Sequence, residues 1–498
     1  MAISFNSIPS NIAVPLFYAE VDNSMANTGA NNLKALIIGQ MTDGTATAGE
    51  PVLVSGDNQG KDYFGQGSML ALMNTAFRNN NSVGELWAIP LADPSGGSKA
   101  SGTFTLSGTA NEAGVIYAYI GATRLPVAIA QGDSASKAAV ALANAINANR
   151  DLPMTAQAAD GEGKSTVTVQ AKNAGAYGND IKIFVNYNGV ASGEVLPDGL
   201  GVEVSKVSGG AGVIDFSVIK NAMGSDEYDF IAFPYADNSL LGEFKVLMND
   251  ATGRWSAMSQ LYGHVYCAKR GTAQELVTFV SGLNDQHLTV VAVEDGMPQH
   301  PAEILGAYVG KSYGALQIDP ARPTQSLELT GITPARAGQR FTLAEKQTLL
   351  TSGVATNSVT ASAVRIERAV TTYQKNAYGV DDTSYLDSET LHTLAYVIRQ
   401  LKSVITSKFP RHKLANDGTR FGAGQAIVTP NIIRGEILAV YSRLENLGIV
   451  ENFEAFKKAL IVERSATDPN RVDVLLPPDL VNGLRIFATL VQFRLQYE

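Results

Sequence analysis

Several short motifs in this chain have residue types and spacings that could do chemistry. Ala158-Ala-Asp-Gly-Glu-Gly-Lys-Ser-Thr166 comes close to a phosphate loop, in which glycine-rich backbone amides and a lysine face phosphates just ahead of a helix. Here Ala158 stands where the first glycine is needed, and Thr166-Val-Thr-Val-Gln170 is β-branched and alternating. The segment is therefore expected to be a hairpin loop carrying Lys164. Gly310-Lys-Ser-Tyr-Gly314 spells a nucleophile elbow, whose chemistry needs a strand in, a strained turn and a helix out. Residues 301–309 are helical in pattern, and Pro320 and Pro323 follow closely, so Ser312 is read as a helix residue. His264 and Cys267 lie three apart on an expected strand, which sends them to opposite faces and prevents them from chelating one metal. Cys267 is read as core.

Asp381-Asp-Thr-Ser384 with Asp387 and Glu389 has enough oxygens for calcium but no regular loop spacing, so a turn and helix cap is expected there. Gly65-Gln-Gly67 ahead of Ser68 is read as a tight turn rather than an anion seat. These readings leave no catalytic residue, no metal and no cofactor, and the expectation is a protein that is not an enzyme.

The elements that would position any site follow from composition and pattern. At 498 residues the chain exceeds one hydrophobic core. Charged residues make up only 17%, below the roughly 25% usual for soluble proteins. A net charge of −9 gives no basic patch for direct nucleic-acid contact. The single cysteine rules out a disulfide framework. The first basic residue is Lys34, so no charged leader is seen. No apolar run approaches the ~18 residues of a membrane span, so no stable membrane association is expected. The reading is a soluble chain made in a reducing cytosol.

Strand-like runs at 34–39, 85–90, 229–234, 264–269 and 288–293 alternate with helical stretches at 68–77, 240–258, 273–283 and 301–313, which argues for a layered α/β core. Gly-rich seams at 93–102 and 188–212 bracket short β-rich runs and one Ala-rich helix with Ser134 as its N-cap. From Asp387 a helix with Leu391, Leu394, Ile398, Leu401 and Ile405 on one face runs to Pro410. Helices near 431–447 and 453–460 follow, then strands at 471–476 and from 484.

The expected fold is a layered α/β core with a mixed, largely parallel sheet, plus an α+β C-terminal module. A small mixed β domain is inserted, and both termini are extended arms. The expected boundaries are an arm over 1–25, a discontinuous core over 26–92 and 206–385, and an insertion over 93–205. The C-terminal module covers 386–490 and a donor strand 491–498.

Residues 490–498 are expected to form a strand that has no partner following it. Val491, Phe493, Leu495 and Tyr497 alternate with polar residues. Upstream, Leu484, Ile486, Ala488 and Leu490 have the opposite parity, and one strand keeps one parity. Residues 484–490 are therefore expected to pair beside 471–476, leaving 491–498 for donation to another molecule. Near the other end, Pro9 and Pro15 suit an extended arm bearing Val14, Leu16, Phe17 and Tyr18.

Several segments together resemble the contractile tail sheath proteins of bacteriophages, closest to the Mu-like family. They are Ile8-Pro-Ser-Asn-Ile-Ala-Val-Pro-Leu-Phe-Tyr18, Lys34-Ala-Leu-Ile-Ile-Gly39, Phe64-Gly-Gln-Gly-Ser68, Asp229-Phe-Ile-Ala-Phe-Pro-Tyr235, Arg368-Ala-Val-Thr-Thr-Tyr373 and Arg471-Val-Asp-Val-Leu-Leu476. The resemblance covers essentially the whole chain. It implies a homo-oligomer of stacked hexameric rings around a tail tube, contracting to drive that tube through the host envelope. It also implies tail tube, baseplate and tail terminator proteins as partners, assembly in the host cytoplasm, and residence in the virion. Neighbouring subunits would be linked by strands exchanged at Val14, Leu16, Phe17 and Tyr18 and at Val491, Phe493, Leu495 and Tyr497. The sheath of a related injection machine, a bacteriocin or a secretion system, is the alternative. An α/β hydrolase or nucleotide-binding enzyme using Ser312 or Lys164 is the other class.

Overall fold

A run such as Ala35-Leu-Ile-Ile38 has no polar face, so it belongs inside a sheet covered on both sides. In the computed structural model, which describes residues 33–161 and 163–496, that run lies in β1 (Lys34–Gln40). The chain continues through β2 (Val52–Val54), α1 (Asp57–Phe64), α2 (Met69–Asn80) and β3 (Glu85–Leu91). Ser68 caps α2 by accepting the Ala71 N–H at 3.2 Å, satisfying one of the helix's open donors. β3 runs parallel to β1 from Lys34↔Glu85 to Gln40↔Leu91.

Next come β4 (Lys99–Gly108), β5 (Gly114–Ile120), β6 (Thr123–Ile129), α3 (Ala135–Ala148), β7 (Met154–Gly161), β8 (Lys164–Ala174), β9 (Ile183–Val185) and β10 (Leu200–Val204). They form a four-stranded sheet ordered β10-β4-β8-β7 and a three-stranded sheet ordered β6-β5-β9, with antiparallel pairing throughout. Ser134 caps α3 through the Lys137 N–H, as its position predicts. Phe104, Ile116, Leu142, Ile146, Val167 and Val169 form the core of this region.

The chain then gives α4 (Phe216–Met223), β11 (Phe230–Ala232), α5 (Asn238–Met248), β12 (His264–Arg270), α6 (Ala273–Val280), β13 (Leu288–Val293), α7 (Pro301–Ile318), α8 (Leu343–Thr351), β14 (Val354–Thr360) and β15 (Ala363–Arg368). Among the described residues the main sheet has eight strands, ordered β15-β14-β13-β12-β11-β1-β3-β2. Pairing is parallel from β14 through β3 and antiparallel only at the two ends. The expected mixed, largely parallel α/β sheet is present. Alternate residues of β1 divide between two cores. Ala35 and Ile37 join Phe77 and Leu305, whereas Leu36 and Ile38 join Phe233 and Met248.

The helix expected over 240–258 ends at Met248. The Asn249 side chain accepts the N–H groups of Ala251 and Thr252 and so stabilises a turn there. No strand is expected from pattern at β14 and β15, whose polar faces and edge position hide the signal.

α9 (Ser388–Lys408) follows, then β16 (Lys413–Leu414), β17 (Ile427–Val428), α10 (Pro430–Asn446), α11 (Phe453–Ala459), β18 (Ile461–Arg464) and β19 (Val472–Leu475). The described residues fall into two compact units, Leu33–Thr393 with the residues from Gly483 onward, and Leu394–Asn482. In the second unit Tyr441 of α10 stacks on Phe456 of α11 with centroids 3.6 Å apart. β18 and β19 form an antiparallel hairpin.

Two expectations about the C-terminal region are corrected. Among the described residues, 484–490 pair with no strand, and the partner of β19 is β18. The stretch from Gly483 is held instead by packing on Pro323 and by the ion pairs of Arg485 with Asp387 and Glu389. Asp387 does sit directly before α9, but its carboxylate is bound by arginine side chains.

Candidate functional site

The motifs with catalytic spelling resolve into packing. Ser312 is buried within α7, inside a helix and not at a strand-to-helix turn. Gly310 of that motif serves helix contact, since a Cβ there would lie 2.7 Å from the Phe77 carbonyl oxygen of α2; outside the motif, a Cβ on Gly306 would collide with the Met73 carbonyl. Lys164 starts β8 opposite Gly161, so the phosphate-loop spelling is a hairpin. Its ammonium lies on the surface 4.0 Å from Glu203.

At Gly65 and Gly67 the backbone has positive φ, the conformation that favours glycine in a tight turn. Lys172 Nζ donates to the carbonyls of Gln66 and Arg150 at 2.8 and 2.6 Å, and the Met69 N–H is taken by Asn173 Oδ1. The start of α2 is thus filled by this chain's own groups.

Cys267 and Val265 pack into one core, while Tyr266 packs into the other. His264 Nε2 is 2.8 Å from Thr289 Oγ1, so His264 and Cys267 do not meet. Burial pushes the Cys267 thiol up to about 12, the direction of an inert structural cysteine. The oxygens around 381–389 also diverge. Asp382 accepts from Ser384 and Tyr373, Asp387 from Arg368, and Glu389 from Thr324. Among the described residues no group of three or more such ligands could hold a metal ion.

The residues read as exchange strands divide by what is described. Val14, Leu16, Phe17, Tyr18 and Tyr497 lie outside the described residues. Leu484, Ile486, Phe487, Leu490, Val491, Phe493 and Leu495 are 75–96% exposed, in a segment with no strand pairing. Burying each such side chain is worth about 1.5–3 kcal/mol, so this segment presents unsatisfied apolar surface.

The root of that segment is fastened by charge, which periodicity could not reveal. Arg368 Nε and Nη2 donate to Asp387 Oδ1 and Oδ2 at 2.8 and 3.0 Å. Arg485 Nη2 lies 3.5 Å from Asp387 Oδ1 and 3.2 Å from Glu389 Oε2. The Thr324 N–H and hydroxyl donate to Glu389 Oε1 at 2.9 and 2.8 Å. Beside this network a groove of about 430 Å³ is lined by residues that include Leu343, Leu350, Val370, Leu386 and Ile486.

A model of the phage tail sheath protein central domain matches residues 209–372, and a model of the phage tail sheath C-terminal domain matches residues 380–494. The Mu-like prophage FluMu tail sheath protein of Haemophilus influenzae is 42% identical over 497 residues, covering 99% of this chain and 100% of that relative. The chain belongs to the phage tail sheath family. The crystal structure of the sheath tail protein of Desulfitobacterium hafniense shares the fold with a TM-score of 0.51 at 12% identity, covering 95% of this chain and 97% of that one. That of Listeria innocua gives 0.48 at 12% identity, with 90% and 92% covered.

Proposed function

We propose that this sheath subunit polymerises as stacked hexameric rings around a tail tube and contracts to drive the tube through the host envelope. Neighbouring subunits are linked through strands donated from both ends, at Val14, Leu16, Phe17 and Tyr18 and at Val491, Phe493, Leu495 and Tyr497. The observation that carries this reading is the exposed apolar segment from Leu484 to Leu495. Such a segment gains main-chain hydrogen bonds and buried area only by adding to a sheet of another molecule.

The α/β core of 26–92 and 206–385 and the C-terminal module of 386–490 form the lattice, and the β4–β10 region, within 93–205, faces outward. The tail tube, baseplate and tail terminator proteins are the partners, with assembly in the host cytoplasm and the product in the virion. The role is structural. Ser312 buried within α7, and the hairpin at Lys164, support a subunit without catalysis.

Negative-stain microscopy of the purified protein tests the proposal, with striated hollow tubes as the expected result. Deleting residues 491–498 leaves a folded protein that forms no tubes. Tubes of normal order from that truncation overturn the strand-donation role.

A further inference from the structure

We infer that Arg485 is a positioning residue for strand exchange, pinning the root of the C-terminal tail to the first turn of α9 so that the free tail carrying the donor strand 491–498 begins at Ile486. The inference rests on the sheath reading above and adds which side chain sets the point of departure.

The first observation is an unbroken alternation of charge. Arg368, Asp387, Arg485 and Glu389 follow one another at contact distance. Their side chains are between 5% and 25% exposed, so salt screens them much less than a surface pair. Glu389 is held in turn by two donors of Thr324, and Arg368 grips Asp387 through both carboxylate oxygens. The two acids are therefore fixed before Arg485 reaches them.

The second observation is steric. Two residues before Arg485, Gly483 packs so closely on Pro323 that a Cβ there would lie 2.6 Å from Pro323 Cγ. Gly483 and Arg485 are both fastened, whereas Leu484 and Ile486 between and beyond them face solvent. An extended chain alternates its faces in this way.

The third observation is where the fastening stops. Among the described residues, 486–496 make no hydrogen bond and no ion pair. The change from a held chain to a free one therefore falls between Arg485 and Ile486.

The pin has two physical consequences. It orders the root in advance, so less conformational freedom is lost when the tail docks on another subunit. It also holds the root at the lip of the groove lined by Leu343, Leu350, Val370 and Leu386. A slack root would let Phe487 and Leu490 collapse onto that apolar surface and withdraw them from donation.

The test uses the full chain carrying Arg485→Gln, Arg485→Lys or Glu389→Gln, with Gly310→Ala as the structural control. Gly310→Ala crowds the Phe77 carbonyl at the α7–α2 contact and leaves the Arg485 network untouched. A nitroxide on Phe487→Cys reports root mobility in unassembled protein, and negative-stain counts report tubes. Expected results are a label at least about twofold more mobile in Arg485→Gln and Glu389→Gln, with tubes reduced by about tenfold or more, the cost of losing one ordered side chain per contact. Arg485→Lys restores part of the tube count. Gly310→Ala melts at lower temperature but assembles normally.

Wild-type tube counts from either charge variant overturn the inference, as does a loss of tubes in Gly310→Ala that parallels its loss of stability. If the parent protein forms no tubes, the sheath reading fails. The label then decides the pin alone, and unchanged mobility in both charge variants overturns it.

Discussion

Gly310 of α7 lies against the backbone of Phe77 of α2, where a Cβ would come within 2.7 Å of the Phe77 carbonyl oxygen. A carbonyl held in a helix cannot retreat from an added methyl group without moving the helix. Gly310→Ala is expected to destabilise the Leu33–Thr393 unit by about 1–3 kcal/mol, the usual cost of overpacking. Gly306→Ala, against the Met73 carbonyl, acts in the same direction. Thermal unfolding of each variant checks this, and an unchanged melting temperature in both refutes the close-packing role.

Ser312, two residues after Gly310, has a buried hydroxyl with no hydrogen-bond partner among the described residues. An unsatisfied buried polar group costs about 1–3 kcal/mol. Ser312→Ala should therefore keep or raise the melting temperature and leave tube formation intact. A nucleophile would show the opposite pattern, with stability untouched and function lost.

Glu303 of α7 is half-buried at the start of the helix, and desolvation there raises its carboxyl to about 7. Its N-cap neighbour His300 accepts the Ala302 N–H through Nδ1 and lies 2.9 Å from the Tyr177 carbonyl through Nε2. Arg270 is the nearby cation. Between about 4.5 and 7 the folded state holds a proton on Glu303 that the unfolded state has released. The stability from burying the neutral acid is therefore complete below about 4.5 and lost as pH rises through 7, about 3 kcal/mol in all. Burial lowers the pKa of His300, so its contribution runs the other way and is lost as pH falls below about 6.5. Glu303→Gln should remove only the first effect. The difference between wild-type and Glu303→Gln stability, measured from pH 4.5 to 8, should grow with pH in favour of the variant.

Tyr441 donates its hydroxyl to the Glu451 carbonyl at 2.6 Å and accepts the Asp479 N–H at 3.1 Å. These bonds tie α10 to the segments on either side of the β18–β19 hairpin. Tyr441→Phe keeps the stacking on Phe456 but removes both bonds, and about 1–2 kcal/mol of stability should be lost from the Leu394–Asn482 unit. Hydrogen exchange should accelerate at Val481, whose N–H donates to Ile449, and remain unchanged in β1 and β13.

The four strands β1, β3, β12 and β13 were legible from residue order, because strands covered on both faces are written as uninterrupted apolar runs. Ser134 and Ser68 marked helix starts for an equally local reason, since a cap bonds within three residues. Periodicity likewise marked Val491, Phe493 and Leu495 as alternating apolar positions, and the structure leaves all three exposed.

What residue order could not decide was which distant groups meet. Residues 484–490 carry the right alternation for pairing beside β19, but Gly483 packs on Pro323 and Arg485 pairs with Asp387 and Glu389, which fastens that stretch to the first turn of α9 instead. Gly310 reads only as part of a motif spelling on a helix until the tertiary fold sets it against the backbone of Phe77 in α2. Arg485 reads as one more polar residue in a strand until the tertiary fold sets it between Asp387 and Glu389, about a hundred positions upstream. Local pattern determined the elements and the apolar tail. Only packing, which brings together charges and backbones that sequence keeps apart, decided how the root of that tail is held.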